Sequence, residues 1–435
     1  MIYFIGIKGT GMASLATMLY DIGEEVMGSD LEKHFFTEDE LVKRNIKILP
    51  FNKENIKDGY TVIIGNAFKE DFEEVVAARN NPTCKCYRYH EYLGKLMENY
   101  KSISVCGSHG KTTTTTMLSE MFAKFKNTGY LIGDGEGYLA KDSEYLCVES
   151  CEFKRHFLAY HPNYAIITNI EIDHVDYFKD KEDYFSAYQE FVGNVKEAVL
   201  YYGDDPECRR LKIEVPHFSF GFDADYDDFV AGDIVETTDQ TSFSLFFKDN
   251  FIYNLTLPFV GRHMLIDALG VICLGVVMCF DPRIIEQAFM HYIGPKRRYV
   301  VEEYADTVFI DDYAHHPTEV KVTLSATRQR YPDKKIVAIF KPHRASRVQY
   351  FAEDFKNALL LADEIYLLDF TSIDDKQDGV DIDINYLKDM IPGAKVLSED
   401  IKGAEELAKY RGDVLVFMSS KDIYNIANMT KQLLD

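Results

Sequence analysis

Residues 102–113 read Ser102-Ile103-Ser104-Val105-Cys106-Gly107-Ser108-His109-Gly110-Lys111-Thr112-Thr113. The first five suit a strand, Gly107 to Gly110 a turn, and the residues from Lys111 a helix running to about Phe125. In a strand–turn–helix setting the backbone N–H groups of such a turn can cradle phosphates, aided by the helix N-terminus. Lys111 can neutralise β- and γ-phosphate charge, and Thr112 can offer its hydroxyl to Mg²⁺. The full phosphate-loop pattern wants Gly where Val105 stands, so this is a shortened form. The residues of interest are Gly107, Ser108, His109, Gly110, Lys111, Thr112 and Thr113. The plainer reading is a tight, Thr-rich turn before a helix.

Outward from this stretch the same alternation recurs: a short β-branched run, a turn, a helical period. That argues α/β architecture with parallel sheets. Ile2 to Ile7, Glu25 to Met27 onward and Thr61 to Gly65 read as strands, with a helix over Gly11 to Ile22. After the quoted stretch come strands at Tyr145 to Glu149 and Tyr164 to Thr168. Residues 215–258 alternate with period two, which predicts an antiparallel β insertion, and a helix follows at His263 to Cys279. Further on, Thr307 to Asp311, Lys335 to Phe340, Glu364 to Leu368 and Asp413 to Met418 alternate with helical segments. The 435 residues, at about 150 per domain, divide into three α/β units. These are a Rossmann-like unit at 1–98, a phosphate-loop unit with the β insertion at 99–294, and a second Rossmann-like unit at 295–435.

The composition, 46% hydrophobic and 27% charged, is that of a globular chain and excludes collagen, coiled coil or disorder throughout. A net charge of −23 argues against nucleic acid or anionic lipid as a main partner. The eight Cys form no CxxC pair and several lie in apolar runs, the usage of a reducing compartment. With no basic, apolar leader and no long apolar run, a cytoplasmic location is expected.

A second glycine turn, Gly6-Ile7-Lys8-Gly9-Thr10-Gly11, follows the first strand, with Asp30 about twenty residues on, where a ribose-binding acid would stand. Its spacing is not that of the dinucleotide fingerprint, and a plain βα turn explains it equally well. Two phosphate sites suggest a nucleotide-linked substrate plus ATP. Glu149 and Glu152 follow the Tyr145 strand, where a carboxylate can hold Mg²⁺. Thr168-Asn169-Ile170-Glu171-Ile172-Asp173-His174 closes the next strand, at the carboxyl edge where ligands bind. Asp311-Asp312-Tyr313-Ala314-His315-His316-Pro317 closes another. Arg344 and Arg347, with Lys296-Arg297-Arg298, are local cations suited to carboxylate and phosphate forks, although charge clusters are more often solvated faces.

These motifs, in this order, resemble the Mur ligase family along essentially the whole chain. FIGIKGTGM looks like its UDP-binding turn, YRYHEYLG at 87–94 like the end of its first domain, and GSHGKTTTT like its ATP loop. RHFLAYHPNYAIITNIEIDH matches its central segment, and KRRY, IDDYAHHPTE and KPHRASR its third-domain landmarks. The resemblance implies ATP-dependent amide formation in peptidoglycan precursor synthesis. ATP would phosphorylate the lactyl carboxylate of UDP-N-acetylmuramate, and the amine of L-alanine would displace the phosphate. GIKGTGM and AHHPTE favour alanine addition over the later ligations. The resemblance also implies roles. Lys111 would act on the transferring phosphoryl group, and Thr112 with Glu149 would hold Mg²⁺. His174 would stand beside a second metal or the acyl phosphate, and Asp312 on the ATP ribose. Arg344 and Arg347 would steer the amino acid, while Gly9, Thr10, Gly11 and Met12 with Asp30 would bind the UDP part.

Three departures stand out. Cys151 replaces a common Asp, and a thiol is a poor Mg²⁺ ligand. The family's GxHNxxN reads Gly261-Arg262-His263-Met264-Leu265-Ile266-Asp267, trading two carboxamides for a thioether and an ionised Asp that only accepts. A late GAGD reads Ser419-Ser420-Lys421-Asp422. Two family-level alternatives are a paralogue using another amino acid and an inactive nucleotide-binding relative. A nicotinamide oxidoreductase, suggested by the N-terminal glycines alone, leaves GKTT unexplained.

Overall fold

The computed structural model describes residues 1–292, 294–295, 297–370, 380 and 382–435, so Lys296 of the basic triplet lies outside the described residues. The described strands form three sheets. The first is wholly parallel, in the order Lys47–Leu49, Val26–Ser29, Ile2–Ile5, Thr61–Ile64, Lys85–Arg88. Its central strand is buried at every position, as a parallel strand covered on both faces requires. Helix Thr10–Asp21 leaves this strand at the point where strand order reverses, which opens a crevice there.

The central sheet has ten strands: Asn250–Leu257, Thr241–Phe247, Phe229–Glu236, His217–Gly221, Ala198–Tyr202, Tyr164–Ile167, Lys101–Cys106, Tyr145–Glu149, Thr128–Leu131 and Gly137–Tyr138. Its middle is parallel and its two ends antiparallel. The expected antiparallel insertion is therefore only partly so. His217–Gly221 runs parallel to Ala198–Tyr202 and to Phe229–Glu236, and the antiparallel strands continue the main sheet. Period-two alternation reports burial of one face, which either pairing direction satisfies; here the preceding strand Ala198–Tyr202 is joined to His217–Gly221 through the short helix Pro206–Arg209 and pairs with it in parallel.

The third sheet runs Val300–Tyr304, Thr307–Asp312, Val414–Met418, Ile336–Phe340, Glu364–Leu367, Lys395–Val396, parallel except for the first strand. Among the described residues no helix is long and apolar enough to cross a membrane, and all eight cysteines are free.

In the central sheet Cys106 is level with Ile167, and Glu149 with Val105, so the segments after these strands emerge at one edge. In the third sheet Asp312 and Phe340 are both level with Met418. The segments leaving these two edges meet, and between them lies a cavity of about 960 Å³.

Candidate active site

The phosphate-loop turn is shaped by two glycines in the left-handed region, Gly107 (φ +141°) and Gly110 (φ +81°). A Cβ on Gly107 would lie 2.0 Å from Thr168 Oγ1, and one on Gly110 2.2 Å from Asp267 Oδ1. Both positions exclude a side chain by space as well as by conformation. The turn is pinned from the neighbouring strand end. Asn169 Oδ1 accepts from the N–H of Ser108 (3.1 Å) and of His109 (2.9 Å), while the Thr168 hydroxyl donates to the His109 carbonyl. Those two amides are thereby occupied. The first turn of helix Lys111–Ala123, whose leading N–H groups have no intrahelical acceptor, remains as the place where this turn could meet an anion. Thr112 and Thr113 sit there, both buried.

Lys111 reaches back over the turn. Its ammonium donates to the carbonyls of Gly107 (2.5 Å) and Ser108 (3.0 Å) and pairs with Glu152 Oε2 at 3.0 Å. Burial opposes its charge, but the nearby carboxylate of Glu152 holds it above the ordinary lysine value. Glu152 is fully buried. Its Oε1 accepts from the Tyr184 hydroxyl (3.2 Å) and faces His174 Nε2 at 3.5 Å. Tyr184 also contacts Ser108 Oγ at 2.8 Å and so ties the loop to this carboxylate. His174 is left-handed (φ +52°), as are Lys154 and Arg155 beside the cluster, a local backbone cost of the kind found at functional sites. Burial pushes the His174 imidazole below its ordinary value. Glu149, by contrast, accepts from the Gly133 N–H at 2.7 Å. The carboxylate brought between Lys111 and His174 is Glu152. The sequence placed both acids at the strand end, and the family resemblance assigned Glu149 to Mg²⁺; the kinked turn after Cys151 instead carries Glu152 to this position. The Cys151 side chain is exposed.

The third-sheet segments close on this edge. Arg347, in helix Ala345–Tyr350, makes two contacts to Asp173 Oδ1 (2.7 and 3.2 Å), and both side chains are over nine-tenths buried. Burial would raise the Asp173 carboxyl, yet Arg347 holds it well below the usual range. Arg344, the residue before that helix, donates to Asp176 at 2.5 Å. Thr318 donates to Glu171, and His109 lies between Glu171 (3.1 Å) and Glu319 (3.5 Å). Burial disfavours the His109 imidazolium, but these two carboxylates outweigh it and hold the group up at about 9. None of Asn169, Glu171, Asp173, Asp176 and Glu319 had been given an individual role from sequence; the motifs that contain Asn169, Glu171, Asp173 and Glu319 were their signal, and Asp176 lies two residues past the nearest of them.

The cavity is lined by His109, Met264, Asp267, Arg298 and Asp312 among others. Asp312 accepts from the N–H of Tyr299 (2.9 Å) and Ala314 (2.7 Å), and burial raises its carboxyl to about 7 against the pull of Arg298. Arg297 donates to the carbonyls of Ser419 (2.7 Å) and Lys421 (3.0 Å), so the altered late stretch is a backbone acceptor for that arginine. Asp267 corrects an expectation: burial pushes its carboxyl up to about 8, so at neutral pH it carries a proton and can donate.

In the first unit the turn Gly6–Gly11 abuts helix Thr10–Asp21, which begins just after Gly9. Asp30 accepts from the N–H of Lys8 (2.7 Å) and of Leu31 (2.8 Å), holding the turn rigid. A Cβ on Gly11 would meet the Tyr89 hydroxyl at 2.6 Å. Thr10 is half-buried, whereas the Met12 side chain packs into the core, leaving its backbone as the part available at the crevice.

Three family models match this chain: the Mur ligase family catalytic domain over residues 1–101, the Mur ligase middle domain over 105–275, and the Mur ligase glutamate ligase domain over 296–421. Among solved structures, UDP-N-acetylmuramate-alanine ligase MurC from Thermotoga maritima is 25% identical, with a TM-score of 0.80 over 99% of this chain and 98% of that one. The murein peptide ligase mpl from Psychrobacter arcticus is 22% identical, with a TM-score of 0.72 over 100% and 98%. MurF ligase from Thermotoga maritima in complex with ADP is 18% identical, with a TM-score of 0.66 over 95% and 96%. With three successive matches that together cover most of its length, this chain belongs to the Mur ligase family, the ATP-dependent ligases of peptidoglycan precursor synthesis.

Proposed function

We propose that this chain joins L-alanine to the lactyl carboxylate of UDP-N-acetylmuramate through an acyl phosphate. Residues 1–98 would take the UDP substrate, 99–294 ATP, and 295–435 the amino acid. The observation that carries the reading is the chain of contacts by which Lys111, Glu152 and His174 of the central unit, through the neighbouring Asp173, meet Arg347 of the third. On this reading Lys111 leaves its own loop carbonyls to follow the phosphoryl group as it moves from ATP to the substrate carboxylate. The amine then attacks the acyl carbon and the C–O bond to phosphate breaks. His174, kept neutral, lies where it can take the proton that the amine loses. Arg344 and Arg347 offer the guanidinium forks that suit an amino-acid carboxylate. The two Rossmann-like units close over the central one.

The residues fit Mg²⁺. Glu152 Oε2 is a buried carboxylate oxygen whose partner is the Lys111 ammonium at 3.0 Å, a cation that could give way to the ion, and Thr112 adds a hydroxyl at the helix start; oxygen donors are what this ion prefers. Bound there, Mg²⁺ would neutralise phosphate charge. Glu152, rather than Glu149, is the carboxylate for that place. Tyr184→Phe is accordingly expected to weaken Mn²⁺ binding, read by electron paramagnetic resonance, by about 10-fold or more, because Glu152 loses the hydroxyl that orients it. Unchanged binding would leave Tyr184 a packing residue only.

At the adenine end, Met264 still lacks a carboxamide, but protonated Asp267 resembles one. Asp267→Asn is expected to leave the Michaelis constant for ATP little changed at pH 7. In the unsubstituted protein that constant should rise roughly 2- to 12-fold as pH passes about 8 and Asp267 loses its donor. The Asn variant should be flat there; a parallel rise in both would assign the effect to another group. The reaction itself is tested by phosphate release from ATP with UDP-N-acetylmuramate and each amino acid in turn. Release with L-alanine supports the reading. Release only with another amino acid marks a paralogue, and none with any would sink the ligase assignment.

A further inference from the structure

We propose that His109, Glu171 and His316 form a transition-metal site of the Zn²⁺ class that staples the third unit to the central one. One ring nitrogen of each histidine and one carboxylate oxygen of Glu171 all lie within 4.8 Å of one another. The three residues come from separate places: the phosphate-loop turn, the segment after strand Tyr164–Ile167, and the residue preceding helix Pro317–Arg330. Two imidazoles and one carboxylate are a donor set suited to Zn²⁺ and unsuited to Mg²⁺, which prefers oxygen throughout.

The groups behind the donors support this. His109 Nδ1 stands 3.5 Å from Glu319 Oε1, the carboxylate-behind-imidazole arrangement that orients metal-binding histidines. Both Glu171 oxygens accept from the Thr318 hydroxyl, at 2.8 and 2.9 Å. An independent observation points to a ligand: His316 is fully buried and its Nε2 has no hydrogen-bond partner. Binding a cation through Nε2 puts the ring proton on Nδ1, at the cost of a long 3.4 Å contact from the Thr318 N–H. His109 stands between the carboxylates of Glu171 and Glu319, so a metal ion bound to its ring takes the place of a ring proton that either acid would hold.

The test uses the full chain, stripped with chelator and kept in excess Mg²⁺. Zn²⁺ is titrated by calorimetry in two buffers of different protonation enthalpy, and Co²⁺ serves as the spectroscopic probe. One Zn²⁺ per chain, net proton release and a tetrahedral Co²⁺ spectrum are expected. His316→Gln should weaken Zn²⁺ binding by about 10-fold or more with an unchanged circular dichroism spectrum. Glu171→Gln should do the same and serves if the first variant fails to fold. Binding abolished by Mg²⁺, a thiolate-to-cobalt charge-transfer band, or equal affinity in a folded variant would each overturn the site.

Discussion

Lys111→Ala is expected to lower turnover on the order of 10³-fold while the protein stays folded. Lys111 is the cation at the start of the phosphate-loop helix, and at present it spends its protons on the loop's own carbonyls and on Glu152. Its loss removes positive charge where phosphoryl charge must be met, in a cleft with little water to screen it. The variant also leaves the buried Glu152 without its strongest partner, although Tyr184 still donates to it. That carboxylate would take up a proton rather than stay charged. A double variant, Lys111→Ala with Glu152→Gln, removes the stranded charge. It should recover any lost melting temperature and remain inactive. Near-normal turnover of the single variant in the phosphate-release assay would show that the loop is not the ATP site.

What could be read from sequence divides along physical lines. The turn at Gly107–Gly110 was legible because its cause is local: glycines at constrained positions between a β-branched run and a helix. Most strand and helix positions were legible for the same reason. The order of the strands was not. Lys101–Cys106 lies between Tyr164–Ile167 and Tyr145–Glu149, a neighbourhood set by crossovers rather than by adjacent residues. The direction of His217–Gly221 failed for another reason: it pairs with the strands just before and after it, and period-two alternation suits either direction. In the site, residue types were legible and pairings were not. Arg347 was singled out, but its partner Asp173 lies 174 residues away in the chain. Glu149 and Glu152 are equivalent as letters, and the left-handed residues Lys154 and Arg155 in the kinked turn that follows are invisible to pattern. The acidity of Asp267 is set by burial that the whole cleft assembles, which pushes its carboxyl up to about 8, and nothing in the residue letters carries that shift.

Arg347→Ala is expected to raise the Michaelis constant for the amino acid roughly 10- to 150-fold, the range that 1.5–3 kcal/mol per charge-assisted hydrogen bond allows. The constant for ATP should move far less. The guanidinium gives Nε and Nη2 to Asp173, while its Nη1 is buried with no hydrogen-bond partner and is the arm free to meet a carboxylate. The substitution also strands Asp173, which costs about 3–5 kcal/mol where a buried pair is broken from one side. Because the two residues belong to different units, the protein can avoid most of that cost by letting the third unit move away, so that water reaches the acid. Small-angle scattering should then show a larger radius of gyration. The pair is insensitive to mild acid. Arg347 holds the Asp173 carboxyl well below its ordinary value, so its contribution is complete above about pH 4 and is lost only as pH falls further, through the depressed value. Assays between pH 6 and 8 therefore compare like with like. Asp173→Asn separates the two effects. It weakens the tie between the units but leaves the Arg347 fork in place, so it should loosen the structure with a smaller change in amino-acid use. If Asp173→Asn matches Arg347→Ala in every constant, Arg347 is a tie between units and nothing more; if Arg347→Ala weakens ATP as much as the amino acid, the guanidinium belongs to the nucleotide site.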